Sequence, residues 1–296
     1  MRITVIGESN IDIAVKPCSG MPQTSANTCV PSHISFHHGG VARNIAHNLR
    51  LLGHEVRLMT VFGDDDFALR LIEDCEALGM DLSLSSQCKD AQSPIFLSFN
   101  DEKGNMQSAA SDVALNDRMD LDWLKGKMEE INRSDIVVAD TLISAEALSY
   151  LIDSCAVPLY IDTVSPGKAK RFLEAMQNST KHSVHALKCN LSEALALTRE
   201  NDAEAAAQRL NSMGASQVYL TLGEKGALFC AKGITKHYPS LSAKIVDVTG
   251  SGDAFFAGVI HGHSTGCLGE KAIPFGLEAA RQTIQNEGPV AQSLEL

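Results

Sequence analysis

Short runs of β-branched and apolar residues alternate along this chain with stretches in which apolar positions recur at helical spacing. The short runs predict strands at Ile3–Ile6, Val56–Val61, Ile136–Ala139, Leu159–Asp162, Ala186–Cys189 and Val218–Leu222. The periodic stretches predict helices at Ala42–Leu52, Ala203–Met213, Asp253–His263 and Glu270–Gln285. Such alternation favours an α/β fold, in which helices cover both faces of a mainly parallel sheet. Ligands of these sheets bind beyond the carboxyl ends of the strands.

Two segments interrupt the alternation. Residues 13–36 contain three prolines and lack helical periodicity, and residues 94–112 predict a β-hairpin with a polar turn at 100–105. Together they form either a small β lid over the strand ends or two ordinary surface hairpins, and periodicity leaves both open. No linker separates independent domains, so we expect a single domain over residues 1–296.

The charge balance narrows the class of partner. The chain carries 36 acidic and 25 basic residues, a formal net charge of -11. Nucleic acids and anionic membranes require clustered Lys and Arg, so neither is an expected partner. The start of the chain lacks the apolar run of a signal peptide, and no 18-residue apolar stretch predicts a membrane span. Eight scattered cysteines without a C-x-x-C pair favour reduced thiols and a cytoplasmic location.

The strongest chemical signal is a Gly-Ser-Gly-Asp run at the start of a predicted helix. Gly250 and Gly252 free the backbone to direct consecutive amides, including that of Ser251, at one anion. Asp253 lies just inside the positive end of the helix, where it either caps the helix or takes a proton from a substrate hydroxyl. Residue types alone leave these two interpretations equally open.

The segment from Asp247 to Gly258, read as Asp-x-Thr-Gly-Ser-Gly-Asp-Ala-Phe-x-x-Gly, resembles the C-terminal signature of the ribokinase family, also called the PfkB carbohydrate kinases. The resemblance implies a ribokinase-like three-layer α/β/α core with a small β lid. It implies that Asp253 is the general base and that Gly250, Ser251 and Gly252 form an anion hole for the transferring phosphoryl group. Asp247 and Thr249 match positions that help to bind a monovalent cation, such as K⁺, in many members.

A second match lies near the amino terminus. The segment Gly39–Gly53 resembles the family's N-terminal signature, in which the Gly-Gly pair, here Gly39 and Gly40, and the Asn, here Asn44, contact sugar hydroxyls. Asp12 follows the first strand, where the family places a carboxylate that binds paired hydroxyls. Taken singly, the Gly-Gly pair and Asn44 also fit an ordinary glycine loop with an exposed Asn. Asp12 also fits an Asp that ends a strand.

Two short motifs indicate a nucleotide site. Asn190 and Glu193 match the family's N-x-x-E motif, which organises Mg²⁺ and phosphates through water, although an N-capped helix start explains them equally well. Thr221, Gly223 and Gly226 match a T-x-G-x-x-G loop that lies against ATP, or else a plain β-turn. Neither a Walker A motif nor the protein-kinase H-R-D and D-F-G motifs occur.

Within the family, residues 136–148 and 157–165 are most similar to bacterial pseudouridine kinases, in which an Asp stands at the position of Asp112. The resemblance implies an ATP-dependent kinase that phosphorylates the 5′-hydroxyl of a nucleoside, pseudouridine first. The alternatives are a ribokinase- or fructokinase-type sugar kinase and a catalytically silent nucleoside-binding protein. Asp112 is a candidate base or ribose contact, or an exposed loop residue. Alternating Ile95, Leu97 and Phe99 suggest a homodimer formed through the lid, or packing on the protein's own core.

Overall fold

The computed structural model describes residues 1–21, 29–102, 104 and 106–296. In these ranges the strands are β1 (Arg2–Ile6), β2 (Asn10–Pro17), β3 (Ser32–Gly39), β4 (Glu55–Met59), β5 (Val61–Phe62), β6 (Ser86–Gln87), β7 (Ile95–Asn100), β8 (Met106–Asp112), β9 (Ile136–Asp140), β10 (Leu159–Asp162), β11 (Val184–Asn190), β12 (Ala215–Thr221), β13 (Ala227–Ala231) and β14 (Ile234–Tyr238). The α-helices are α1 (Val41–Leu51), α2 (Asp66–Ala77), α3 (Leu121–Lys125), α4 (Met128–Ile131), α5 (Ala145–Ser154), α6 (Pro166–Asn178), α7 (Leu191–Thr198), α8 (Ala203–Ser212), α9 (Ser251–Ser264) and α10 (Ile273–Thr283). Short 3-10 helices lie at Ala114–Arg118, Gly223–Lys225 and Gly269–Ala272.

An eight-stranded sheet forms the centre, in the order β14-β13-β12-β11-β10-β9-β1-β4. The six strands from β12 to β4 are parallel, and β13 and β14 continue the sheet as antiparallel neighbours. Strands buried on both faces explain why these segments are almost continuously apolar. The predicted mainly parallel α/β sheet is confirmed.

Helices cover both faces of this sheet and form two separate apolar layers. Ile45 of α1 and Phe256 and Ile260 of α9 are fully buried on one face. Leu148 of α5 and Phe172 of α6 are fully buried on the other face. Each such side chain contributes roughly 1.5–3 kcal/mol by leaving water. In the part of the chain that the structure describes, no helix is long and apolar enough to cross a membrane.

A second sheet, which we call the lid sheet, has the order β3-β2-β7-β8. The predicted hairpin at 94–112 is present as β7 and β8, and the turn residues 103 and 105 lie outside the described ranges. The other predicted segment forms β2 and β3, although residues 22–28 also lie outside those ranges. Because β2 begins at Asn10, the lid sheet starts three residues earlier than predicted and includes Asp12.

Three predicted boundaries were wrong. The strand at Val56–Val61 divides at Thr60, since Val61 and Phe62 leave the main sheet and pair with β6. The helix at Glu270–Gln285 begins as a 3-10 turn and becomes α-helical only at Ile273, where Pro274 suits a first helical turn. Helix α9 begins at Ser251, two residues before the predicted start.

Candidate active site

The start of α9 places three residues of the predicted anion hole in one turn. Gly250 is the N-cap, with a φ of 71° that favours glycine, and a side chain there would collide with the carbonyl oxygen of Pro289. The amide and hydroxyl of Ser251 donate to the carbonyl oxygen of Val248 at 3.3 and 2.8 Å. The hydroxyl of Ser251 therefore stabilises the turn, and the first-turn amides provide the anion-binding character of the helix start.

Asp253 lies on the first turn of α9 and is buried. Asn44 of α1 donates from Nδ2 to its Oδ2 at 2.9 Å, so the two segments that resemble family signatures meet. Burial raises the pKa of Asp253 to about 7, while Lys188 and the bond from Asn44 act in the opposite direction. A carboxyl group that titrates near neutral pH is well matched to general base catalysis.

The Gly-Gly turn before α1 brings the chain close to the end of β1. Gly40, the N-cap of α1, has a φ of 96°, and a side chain on it would collide with the carbonyl oxygen of Glu8. Arg43 is almost fully buried and donates to the carbonyl oxygen of His38 at 2.9 Å and to Asn44 Oδ1 at 3.3 Å. This contact leaves Nδ2 of Asn44 to face Asp253.

Asp12 lies on β2 of the lid sheet. It accepts a bond from Asn10 Nδ2 at 3.0 Å, and a side chain on Gly39 would overlap its carboxylate. Burial raises the pKa of Asp12 to about 6. The charge of Asp12 contributes to the raised pKa of Asp253, so the two carboxylates lie near each other. The structure thus brings Asp12, Gly39, Gly40, Asn44 and Asp253 into one region, and their roles stay predictions.

Asp112 does not join this group. It is the last residue of β8, exposed, and its Oδ1 accepts the amide of Ala114 at 3.2 Å. Its register partner is Ile95, which pairs with Ile11, so alternation along the strands places Asp112 on the face opposite to Asp12. The alternative of an exposed Asp fits this geometry, and the assignment of Asp112 as a substrate contact is not supported.

Asn190 and Glu193 form a capping box at the start of α7. Glu193 Oε2 accepts from the Asn190 amide at 2.8 Å and from Thr163 Oγ1 at 2.7 Å, and its Oε1 accepts from Asn190 Nδ2 at 2.6 Å. Burial raises the pKa of Glu193. Since both carboxylate oxygens already have donors, this pair fits a hydrated Mg²⁺ that it contacts through water.

The T-x-G-x-x-G loop connects β12 to β13. Thr221 ends β12 directly beside Asn190 in the register of the sheet, so the two short motifs are neighbours. Gly223 has a φ of 61° and open space around it. Gly226 has a φ of 91°, and a side chain there would collide with the carbonyl oxygen of Tyr238. Close packing against β14 therefore explains why a glycine is needed at position 226, whereas Gly223 faces open space.

Asp247 ties the segment before α9 to the loop after α10. Its Oδ1 accepts the amide of Thr249 at 2.9 Å and its Oδ2 accepts the amide of Gly288 at 3.1 Å. Carboxylate oxygen is a ligand that a hard cation prefers, but here each oxygen of Asp247 already accepts a backbone amide. The monovalent-cation role of Asp247 and Thr249 stays a prediction. Among the described residues, no group of three or more His, Cys, Asp or Glu forms a metal cluster.

The sequence reasoning did not identify Lys188 or Asp162. Both are buried, on adjacent strands β11 and β10, and Lys188 Nζ lies 2.8 Å from Asp162 Oδ2. The available signal was a single Lys between the apolar residues Leu187 and Cys189 of β11. A lysine in a strand that is buried on both faces needs a partner of opposite charge. This requirement makes such a lysine a candidate for a functional role.

Comparison with known proteins identifies the family of this chain. The model of the pfkB family carbohydrate kinases matches residues 1–295. Pseudouridine kinase of Escherichia coli is 29% identical over 264 residues, covering 87% of this chain and 82% of that protein. Guanosine-inosine kinase of Exiguobacterium acetylicum is 24% identical over 288 residues, covering 96% and 94%.

A solved structure shares the fold. Ribokinase from Thermotoga maritima superposes with a TM-score of 0.82 at 24% identity, covering 97% of this chain and 94% of that chain. The family match spans both glycine-rich signatures and the Asn44–Asp253 contact that joins them. The chain belongs to the pfkB family of carbohydrate kinases and is a phosphotransferase that acts on a hydroxyl group of a sugar or nucleoside.

Proposed function

We propose that this protein phosphorylates the 5′-hydroxyl of a nucleoside, with pseudouridine as the first candidate. The observation that carries the proposal is the 2.9 Å contact from Asn44 to Asp253, which sets a sugar-binding amide beside a carboxylate suited to accept a proton. The choice of pseudouridine rests on the similarity to the pseudouridine kinase of E. coli at 29% identity.

Asp253 acts as the general base in this proposal. Its carboxylate takes the proton of the 5′-hydroxyl as the hydroxyl oxygen attacks the phosphoryl group, and later releases that proton to water. In the anion hole of Gly250, Ser251 and Gly252, the amides of Gly250 and Gly252 donate to the oxygens of the transferring group. The Ser251 amide, which donates to the carbonyl oxygen of Val248 at 3.3 Å, turns to the phosphoryl group only by weakening that bond. Because the helix start already directs the other two amides, they stabilise the developing charge with little reorganisation.

The ribose lies between the lid sheet and α1. Asp12 accepts bonds from the paired hydroxyls, while Gly39 and Gly40 allow the ring to approach the backbone. Asn44 fixes the ring relative to Asp253. Phe96 is the register partner of Asp12 on β7 and shares its face, so it supplies an apolar surface for the nucleobase.

ATP lies along the edge formed by Thr221, Gly223 and the start of α7, as implied for kinases of this family. Asn190 and Glu193 would hold Mg²⁺ through water, and the ion would neutralise phosphate charge there. Asp247 and Thr249 would hold a monovalent cation such as K⁺, which would stabilise the turn that carries the anion hole.

We also propose a single domain whose lid sheet dimerises, and a cytoplasmic location. By register, Ile34 and Phe36 lie on the same face of the lid sheet as Leu97 and Phe99. Ile34 and Phe36 are each 57% exposed. A partner lid would cover this apolar face. All eight cysteines are free, which supports a reducing compartment.

An ADP-release assay with Mg²⁺ and K⁺ tests the proposal. The acceptor panel contains pseudouridine, uridine, cytidine, guanosine, inosine, adenosine, ribose and fructose. Turnover on pseudouridine that clearly exceeds turnover on every other acceptor is the expected result. Preference for a free sugar would overturn the nucleoside as the proposed substrate, but it would leave the proposed base and anion hole in place. The Asp253→Asn variant serves as the control for contaminating kinases.

A further inference from the structure

A buried lysine lies directly behind the anion hole. Lys188 belongs to β11, where its neighbours Leu187 and Cys189 are fully buried, and its own residue is 6% exposed. A methyl group placed on Gly252 would lie 2.9 Å from its Nζ. The ammonium group therefore packs against the backbone from which the amides of α9 point.

The ammonium is surrounded by carboxylates. Asp162, its register partner on β10, approaches Nζ at 2.8 Å, and the charges of Asp253 and Glu193 also act on it. Burial alone would lower the pKa of Lys188, but these surrounding carboxylates outweigh it and raise that pKa above its usual value. Lys188 therefore keeps its positive charge at neutral pH.

An apolar side chain would fill this position at lower cost. A buried ion pair adds little or nothing to stability compared with well-packed apolar residues, because both ions lose their hydration. Stability alone therefore does not explain a lysine at the carboxyl end of a central strand. A fixed positive charge behind a phosphate-binding turn has a chemical explanation, because the interaction is strong where water is excluded.

We propose that Lys188 is a positioning residue for phosphoryl transfer, anchored by Asp162 so that its ammonium group lies behind Gly252 and beside Asp253. Its charge strengthens the anion hole at Gly252 and holds Asp253 in the ionised form that accepts the substrate proton. Lys188 remains protonated throughout, and no bond to it forms or breaks. This inference rests on the proposed roles of Asp253 and of the anion hole, and not on pseudouridine as the acceptor.

Two variants separate a catalytic contribution from a structural one. Lys188→Met removes the charge and leaves Asp162 buried without its partner, so this variant loses both stability and activity. The double variant Lys188→Met with Asp162→Asn removes both charges, and its melting temperature returns toward that of the wild type. If Lys188 acts on the reaction, kcat of the double variant stays at least about 10²-fold below the wild type. Its KM values for ATP and acceptor change much less.

A third variant keeps the inference testable if the double variant does not fold. Asp162→Asn retains the ammonium group, so kcat is expected to stay within about tenfold of the wild type. Lys181→Met is the matched control, since its Nζ binds the carbonyl oxygen of Cys155 away from this site. All kinetics use the acceptor that the wild type prefers.

The outcomes distinguish this inference from the proposed function. Wild-type kcat in a folded double variant, or equal losses in Asp162→Asn and Lys188→Met, would overturn the role of Lys188. Near wild-type turnover in Asp253→Asn would instead remove the general base, whatever the Lys188 variants show.

Discussion

The side-chain amide of Asn44 donates to the carboxylate of Asp253 at 2.9 Å, across 209 positions of sequence. The bond joins the first turn of α1 to the first turn of α9, so each helix start presents its glycine turn to the same cleft. In the proposed function, a sugar hydroxyl held by Asn44 would lie beside the carboxylate that takes its proton.

Replacing Asp253 by Asn is expected to lower turnover by at least about 10²-fold without unfolding the protein. The amide keeps the shape and an acceptor for Asn44, but it cannot take a proton. Steady-state ADP release measures the loss, and a thermal melt checks the fold. Turnover close to that of the wild type would rule Asp253 out as the base.

The rate should depend on pH through the same residue. Burial raises the pKa of Asp253 to about 7, and only its ionised form is a base, so kcat/KM falls as the pH drops below about 7. The groups that face it are Lys188, Asp162, Asn44 and Asp12. The profile is measured with saturating Mg²⁺ to keep ATP in one form. A rate that does not change between about pH 6 and 8 would contradict this assignment.

Asn44→Ala provides an independent check on that profile. The bond from Asn44 lowers the pKa of Asp253, so its loss moves the acid limb of kcat/KM to higher pH, by about one unit for a bond to a charged group. The KM for the acceptor rises as well, because the sugar loses a contact. An acid limb that stays in place would mean that the bond does not act on the ionised base.

Removal of K⁺ is expected to reduce activity. Asp247 holds the amides of Thr249 and Gly288, and a cation bound there would stabilise the turn that leads into Gly250. The assay compares K⁺ with Na⁺ and with tetramethylammonium, which is too large for such a site, at constant ionic strength. If all three salts support equal rates, Asp247 and Thr249 hold no functional cation.

A charge on the apolar face of the lid sheet should dissociate the proposed dimer. Phe36 is 57% exposed on this face, and Phe36→Glu places a carboxylate there, which a partner lid would bury without a counter-charge. Sedimentation or light scattering would then report monomers. His33→Glu, in the same strand but on the opposite face by alternation, is the matched control and should remain dimeric. A monomeric wild type would refute the dimer itself.

Local patterns were sufficient to predict most strands of the main sheet, because a strand or helix imposes its own periodicity on the apolar residues within it. They failed where tertiary contacts decide. The strand predicted at Val56–Val61 divides at Thr60, because β5 pairs with β6 instead of continuing in the main sheet. Helix α9 begins at Ser251 because Gly250, with a φ of 71°, is its N-cap, and only a residue without a side chain fits there beside the carbonyl oxygen of Pro289.

The candidate site shows the same division. The glycine turns and Asp253 were identified because their motifs are contiguous in sequence. Lys188 and Asp162 were not, because their pairing depends on two strands being adjacent and in register. Asp112 was a candidate substrate contact because its position in the chain matched, or else an exposed loop residue. Strand alternation, which the sequence motif does not reveal, places it on the opposite face from Asp12.

The packing of Gly250 against Pro289 also bears on the synthesis of this enzyme. The turn at Gly40 leaves the ribosome first, the turn at Gly250 follows more than 200 positions later, and Pro289, which packs against Gly250, comes later still. A nascent chain that ends before Pro289 therefore lacks the contact that supports the turn at Gly250. The same arrangement suits a split enzyme: two fragments divided between α1 and α9 would each be inactive, and their association would restore the bond from Asn44 to Asp253.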